Sequence, residues 1–177
     1  NILAAVAVLS KYFDLNKIDK NIFFNFKIPK SRGELVKIIF NKKSILLTDE
    51  SYNSNPLSLK FAINNFNRMN IKSLFKNLLL GDMLELGKHS KKLHIDAAKT
   101  INNSNINKVF VYGKYVKATF NKIKTQKRGR ILKATNEIYS KMFNNLKNND
   151  FLMVKGSNAT GLNKILNQMK SRKFNAL

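Results

Sequence analysis

From Ile45 onward, short apolar runs alternate with longer amphipathic stretches about five times, joined by short connections. That alternation admits few architectures, because each helix carries the chain back to start another strand beside the last. The strands then run mostly parallel, with helices covering both faces of the sheet. The apolar runs are Ile45–Asp49, Asn77–Asp82, Lys108–Gly113, the weaker Arg130–Ala134, and Phe151–Gly156. "LVKIIF" (Leu35–Phe40) adds a hairpin partner to the first of them across "NKKS". Helices are expected over Leu57–Met69, Ser90–Ile101, Tyr115–Ile123, Asn136–Leu146 and Thr160–Met169. Pro56 suits a first helical position with Asn55 capping before it, and Thr135 suits the cap of the helix from Asn136. Leu93, Ala97 and Ile101 fall on one stripe of the second helix. The expected fold class is α/β, and ligands of such sheets bind beyond the carboxyl ends of the strands. The polar turns after Leu47, Leu80 and Val154 all fall on that edge.

The first 30 or so residues stand outside the series. "NILAAVAVLSKYF" reads as an Ala-rich helix, a second helix is expected around Lys17–Phe26, and Pro29, Ser31 and Gly33 mark a linker. No apolar run is long enough to cross a bilayer, and the start lacks the basic region and cleavage site of a signal peptide. With no Cys there is neither a disulfide framework nor a thiolate metal site, which fits a cytoplasmic location.

A net charge of +23 invites a nucleic-acid reading. Composition argues otherwise: only five of the 33 basic residues are Arg, and Lys, Asn, Ile and Phe share AT-rich codons. The lysines are scattered, and the densest cluster, "KIKTQKRGR" (Lys122–Arg130), has no interleaved aromatics for base stacking. No nucleic-acid partner is expected.

A phosphate-binding loop needs two glycines four residues apart, then Lys and a hydroxyl. In "GDMLELGKHS" five residues separate Gly81 from Gly87 and His89 replaces the hydroxyl, while "GSNATGL" (Gly156–Leu162) lacks the Lys. His89 and His94 are spaced for neither a helical face nor a zinc motif. Acids are scarce, so Asp49 and Glu50 after one strand, and Asp82 and Glu85 after the next, carry weight. At a ligand edge they could hold a ribose, Mg²⁺ or an ammonium group. Equally, Asp49 and Glu50 could simply favour the dipole of the helix that follows.

Five stretches together resemble one family. "TDESYNSNPLSL" (Thr48–Leu59) resembles the strand-to-helix motif of the Mur ligases that add D-alanyl-D-alanine to the UDP-linked muramoyl tripeptide. There the pattern is two aspartates, a small residue and Tyr-Asn-Ala-Asn-Pro. "LLLGDMLELG" with "HSKKLH" (Leu78–His94) and "FLMVKGSNATGLNKIL" (Phe151–Leu166) are similar to two further motifs of that family. "SRGE" (Ser31–Glu34) resembles its Gly-Arg-Gly-Glu linker with Ser31 in place of the first Gly, and "NILAAVAV" its Asn-x-Leu-Ala-Ala helix.

The resemblance implies a Rossmann-like C-terminal domain over residues 31–177, preceded in 1–30 by the tail of a central ATPase domain. The P-loop, the Mg²⁺ carboxylate and the uridine-nucleotide site would lie before Asn1, so no catalytic or metal-binding residue is expected in this chain, and alone it should be inactive. The whole enzyme is implied to be a cytoplasmic monomer using ATP and Mg²⁺, with UDP-MurNAc-tripeptide and D-Ala-D-Ala as substrates. Asn1, Arg32, Asp49, Glu50, Tyr52, Asn53 and Asn55 are implied to border the nucleotide. Arg suits that place, since its planar fork pairs with phosphate or ribose oxygens. Glu50 replaces the family's second aspartate, adding one methylene to its reach. Asp82, Glu85, Lys155 and Ser157 are assigned to the dipeptide, Lys155 toward its carboxylate and an acid toward its ammonium. A stand-alone α/β module binding a nucleotide or peptide is the alternative.

Overall fold

The computed structural model describes residues 2–19, 21–22, 24–25, 27, 29–71 and 75–171. Its strands are β1 (Glu34–Phe40), β2 (Lys43–Glu50), β3 (Lys76–Gly81), β4 (Lys108–Tyr112), β5 (Arg128–Leu132) and β6 (Phe151–Lys155). They form one sheet in the order β1-β2-β6-β3-β4-β5. Only β1 is antiparallel to its neighbour, β2; the other pairings are parallel. The expected α/β fold with a mostly parallel sheet is present. The β1–β2 hairpin turns on Asn41 and Lys42, both at positive φ (47° and 63°), the geometry that matches the twist of the paired strands.

The helices are α1 (Ile2–Leu9), α2 (Pro56–Arg68), α3 (Ser90–Asn102), α4 (Lys117–Phe120), α5 (Thr135–Glu137) and α6 (Leu162–Ser171). Asn55 caps α2 as expected: its side chain accepts the Ser58 amide while the Ser58 hydroxyl accepts the Asn55 amide. Every residue of β3 and β6 is buried, as central parallel strands require. Leu78 and Leu80 face Leu59, Ile63 and Phe66 of α2 and Ala98 and Ile101 of α3. Leu79, Leu152 and Val154 face the opposite layer, with Met142, Phe143, Leu162 and Leu166. Each fully buried large side chain contributes about 1.5–3 kcal/mol. The chain steps in one direction from β1 through β5 and then returns to lay β6 between β2 and β3.

Five expectations are corrected. The buried residues of α3 are His94, Ala98 and Ile101: Ile101 is buried as expected and Ala97 packs partly against the core, but His94 rather than Leu93 turns inward because its Nε2 accepts the Met83 amide and its Nδ1 faces the Ser90 carbonyl. The helix expected over Tyr115–Ile123 is only Lys117–Phe120. Asp82 holds the amides before it, and the Arg128 guanidinium takes the Asn121 and Ile123 carbonyls after it. The helix from Asn136 breaks after α5 into a π turn (Ile138–Met142) and a 3-10 turn (Phe143–Asn145), which lets adjacent Met142 and Phe143 both enter the core. Thr135 makes no side-chain cap there. Within Lys17–Phe26 the described residues form no α-helix; a 3-10 turn spans Leu15–Lys17, and residues 20, 23 and 26 lie outside the described residues. None of the α1 side chains is buried, and Leu3 is 84% exposed.

Candidate functional site

The carboxyl ends of β2, β3, β4 and β6 converge on one edge. Their loops meet closely because two glycines face each other: a Cβ on Gly81 would lie 3.3 Å from the Gly156 Cα and 2.8 Å from Leu162 Cδ1. Ser157 joins three loops, its hydroxyl accepting the Leu84 amide (2.9 Å) while its own amide donates to the Asp82 carbonyl (3.0 Å) and its hydroxyl reaches the Ser54 carbonyl (3.4 Å). Two adjoining clefts open here. One, of about 510 Å³, is bordered by Tyr52, Asn53, Glu85, Ser157 and Lys164. The other, of about 550 Å³, is bordered by Asp82, Tyr112, Lys114, Lys117 and Lys133. Leu84 and Ala159 form the ridge between them.

The linker is laid against the end of β2. Ser31 has φ 60° and Gly33 φ 94°, so the two ends of "SRG" both take the left-handed conformation that glycine favours. Ser31 tolerates it through two bonds: its hydroxyl donates to Asp49 Oδ2 (3.0 Å) and its carbonyl accepts the Tyr52 amide (3.0 Å). Arg32 between them lays its guanidinium 3.9 Å from the centre of the Tyr52 ring, a cation–π contact made by an exposed side chain.

The acids of the β2 end differ in what they can offer. Asp49 is fully buried, and its Oδ1 accepts both the amide (3.0 Å) and the hydroxyl (2.6 Å) of Ser51. Its Oδ2 accepts the Ser31 hydroxyl and the Lys170 ammonium. Glu50 is partly exposed, with Oε2 3.8 Å from the Lys155 ammonium. Burial pushes the Glu50 carboxyl above its ordinary value, against the pull of Lys155. Lys155 is itself buried and donates to the Asn53 carbonyl (2.9 Å); burial draws its ammonium below the ordinary lysine value, with Glu50 opposing.

Of the residues assigned to a dipeptide, three serve the loops themselves. Asp82 is buried and accepts the amides of Lys114 (2.9 Å) and Val116 (2.7 Å), so it fixes the turn after β4. Lys155 ties the β2–α2 turn to β6, and Ser157 ties that turn to the β3 loop. Glu85 is exposed at φ 63° and makes no hydrogen bond or ion pair among the described residues, so its carboxylate is open to the first cleft. Asn53 and Tyr52 border the same cleft, Asn55 is spent on capping α2, and Asn1 lies outside the described residues. Gly113 and Lys170 were not singled out from sequence. A Cβ at Gly113 would lie 2.5 Å from the Asp82 carboxylate, and nothing in the local pattern around either residue announces a partner so far away in the chain. Among the described residues no three acids or histidines gather to hold a metal ion, and no helix is long and apolar enough to cross a membrane.

The glutamate ligase domain of the Mur ligases matches residues 32–158. Among curated proteins, the chain is 31% identical over 174 residues to the UDP-N-acetylmuramoyl-tripeptide–D-alanyl-D-alanine ligase of Buchnera aphidicola subsp. Baizongia pistaciae, covering 96% of the chain and 36% of that protein. It is 24% identical over 165 residues to the ligase of that name from Rickettsia prowazekii, covering 93% and 35%. The fold of the MurF ligase of Thermotoga maritima, solved in complex with ADP, superposes with a TM-score of 0.74 at 22% identity, over 96% of this chain and 36% of that one. MurF of Acinetobacter baumannii gives a TM-score of 0.72 at 19% identity. The chain thus spans about a third of the length of these relatives. The family match takes in most of the chain, the solved relatives share its fold, and the chain belongs to the Mur ligase family.

Proposed function

We propose that the chain is the closing domain of an ATP-dependent ligase that joins D-Ala-D-Ala to UDP-MurNAc-tripeptide in peptidoglycan precursor synthesis. The observation that carries this reading is the Arg32–Tyr52 stack, which holds a guanidinium beside the polar β2–α2 turn; such a planar fork suits phosphate or ribose oxygens. Residues 1–30 are the tail of a central ATPase domain, and the exposed apolar side chains of α1 pack on the rest of it. That domain supplies the phosphate loop and the Mg²⁺ site, so residues 1–177 alone are inactive. The complete protein acts as a monomer in the cytoplasm.

A carboxylate is a poor acyl donor until it carries a good leaving group. The γ-phosphoryl group of ATP passes to the tripeptide carboxylate, giving an acyl phosphate and ADP. The dipeptide amine then attacks the acyl carbon, the tetrahedral intermediate releases inorganic phosphate, and the amine proton passes to solvent. Residues of this chain position rather than react. Arg32 faces the nucleotide, with Glu50, Tyr52 and Asn53 as one wall that meets ATP when the domain swings in. Glu85 receives the dipeptide ammonium in the first cleft. Lys155, Asp82 and Ser157 hold that cleft's loops, and Asp49 and Asn55 hold the turn.

The test is phosphate release by the gene product that includes the coding sequence upstream of Asn1. Release that requires ATP, UDP-MurNAc-tripeptide and D-Ala-D-Ala together supports the proposal. Release indifferent to the dipeptide, or none at all, overturns it. Glu85→Gln in that product should raise the KM for D-Ala-D-Ala about tenfold with little change for ATP.

A further inference from the structure

Lys170 lies in the last turn of α6, more than a hundred residues from the linker, yet its ammonium is only part-exposed and bridges two carboxylates there. It reaches Asp49 Oδ2 at 2.5 Å and Glu34 Oε2 at 2.6 Å. Asp49 is the next-to-last residue of β2, and Glu34 opens β1 directly after Gly33. Between them the Gly33 amide donates to the Asp49 carbonyl at 2.8 Å, and a Cβ on Gly33 would lie 3.2 Å from Glu50 Oε1. Three parts of the chain therefore meet at one buried carboxylate: the linker, the end of β2 and the end of α6.

We propose that Lys170 is a positioning residue, a clamp that makes Ser31–Glu34 part of the sheet body so that Arg32 travels with this domain as a rigid arm. The proposal rests on the reading of Arg32 as a nucleotide-facing group. Without Lys170 the Asp49 carboxylate stays buried with no cation, beside Glu50 and Glu34, and its remaining donors come from Ser31 and Ser51 alone. Ser31 is held at positive φ by its bonds to Asp49 and Tyr52, so loosening Asp49 releases the strained linker and the Arg32 stack together. Burial pulls the Lys170 ammonium down, but the Asp49 and Glu34 carboxylates outweigh it and hold it above its ordinary value, keeping the clamp charged.

The clamp is tested in the 177-residue chain by amide hydrogen exchange. In Lys170→Met the Gly33 and Tyr52 amides should exchange at least tenfold faster while Leu79 in β3 stays within twofold, and Lys170→Arg should restore protection. Unchanged protection at Gly33 and Tyr52 overturns the clamp. Should Lys170→Met also lose protection at Leu79, the milder Glu34→Gln decides: threefold faster exchange at Gly33 supports the clamp, and no change overturns it. In the longer gene product Lys170→Met should raise the KM for ATP about tenfold with kcat at saturating ATP within twofold, and Lys170→Arg should reverse this. A lower kcat at unchanged KM overturns the positioning role. If the unaltered product has no ligase activity, the functional reading fails and the exchange data alone decide the clamp.

Discussion

Asp82→Asn separates two roles for an acid that sequence reasoning assigned to substrate. The side chain is 6% exposed, and each carboxylate oxygen already accepts a backbone amide, Oδ1 from Val116 at 2.7 Å and Oδ2 from Lys114 at 2.9 Å. An amide of the same shape keeps one acceptor and turns an NH2 group toward the other N–H. One charge-assisted bond becomes neutral, a loss of about 1 kcal/mol, and one enclosed donor loses its partner, about 1–3 kcal/mol. The sum is about 3 kcal/mol. With a denaturant slope of about 2 kcal/mol/M, the urea midpoint of the chain should fall by about 1.5 M. Equilibrium unfolding followed by circular dichroism measures this directly. A loss below about 1 kcal/mol would mean that the carboxylate is not needed by the β4 loop, and the structural assignment of Asp82 would be wrong.

Lys76 is buried at the start of β3 and donates to the carbonyls of Phe66, Asn67 and Met69, closing the end of α2; Lys76→Met should cost about 2–3 kcal/mol in urea unfolding, since those carbonyls lose their donor. Gly81→Ala drives a methyl against Leu162 and Gly156 and should cost about 2 kcal/mol, read as a Tm lowered by roughly 6 °C. Glu50 gives a pH dependence of definite sign: its folded carboxyl titrates above the ordinary 4.5, so between those values the native state holds more protons than the unfolded one. Its contribution is fully present below 4.5 and is lost as pH rises through the folded value, so the stability of the wild type relative to Glu50→Gln should fall over that window. A rise would refute the assignment.

The strands and most helices were legible because their signals are local. Asn55-Pro56 names a helix start through one side chain and one missing donor, and the apolar runs of β3 and β6 state their own burial. What failed was set by distant partners. The end of the fourth helical segment depends on Arg128 and its beginning on Asp82, neither of which belongs to its own periodicity. His94 takes the place expected of Leu93 because a loop amide from Met83 needs an acceptor. At the candidate site, the motif residues lie at the carboxyl edge of the sheet, but residue type did not tell a committed carboxylate from an open one. Asp49 and Glu50 are neighbours in sequence, yet one is enclosed by four donors and the other is partly exposed.

The sheet order sets a condition on how this domain is made. β6 emerges last among the strands, yet it fills the gap between β2 and β3, which otherwise share no pairing. Until Phe151–Lys155 has left the ribosome the nascent chain holds two strand groups, β1–β2 and β3–β4–β5, each with an apolar open edge where β6 belongs. Closure must therefore wait for nearly the whole chain and join residues about a hundred positions apart, a non-local step of the kind that slows folding. During synthesis those two edges are the surfaces most open to pairing with another chain.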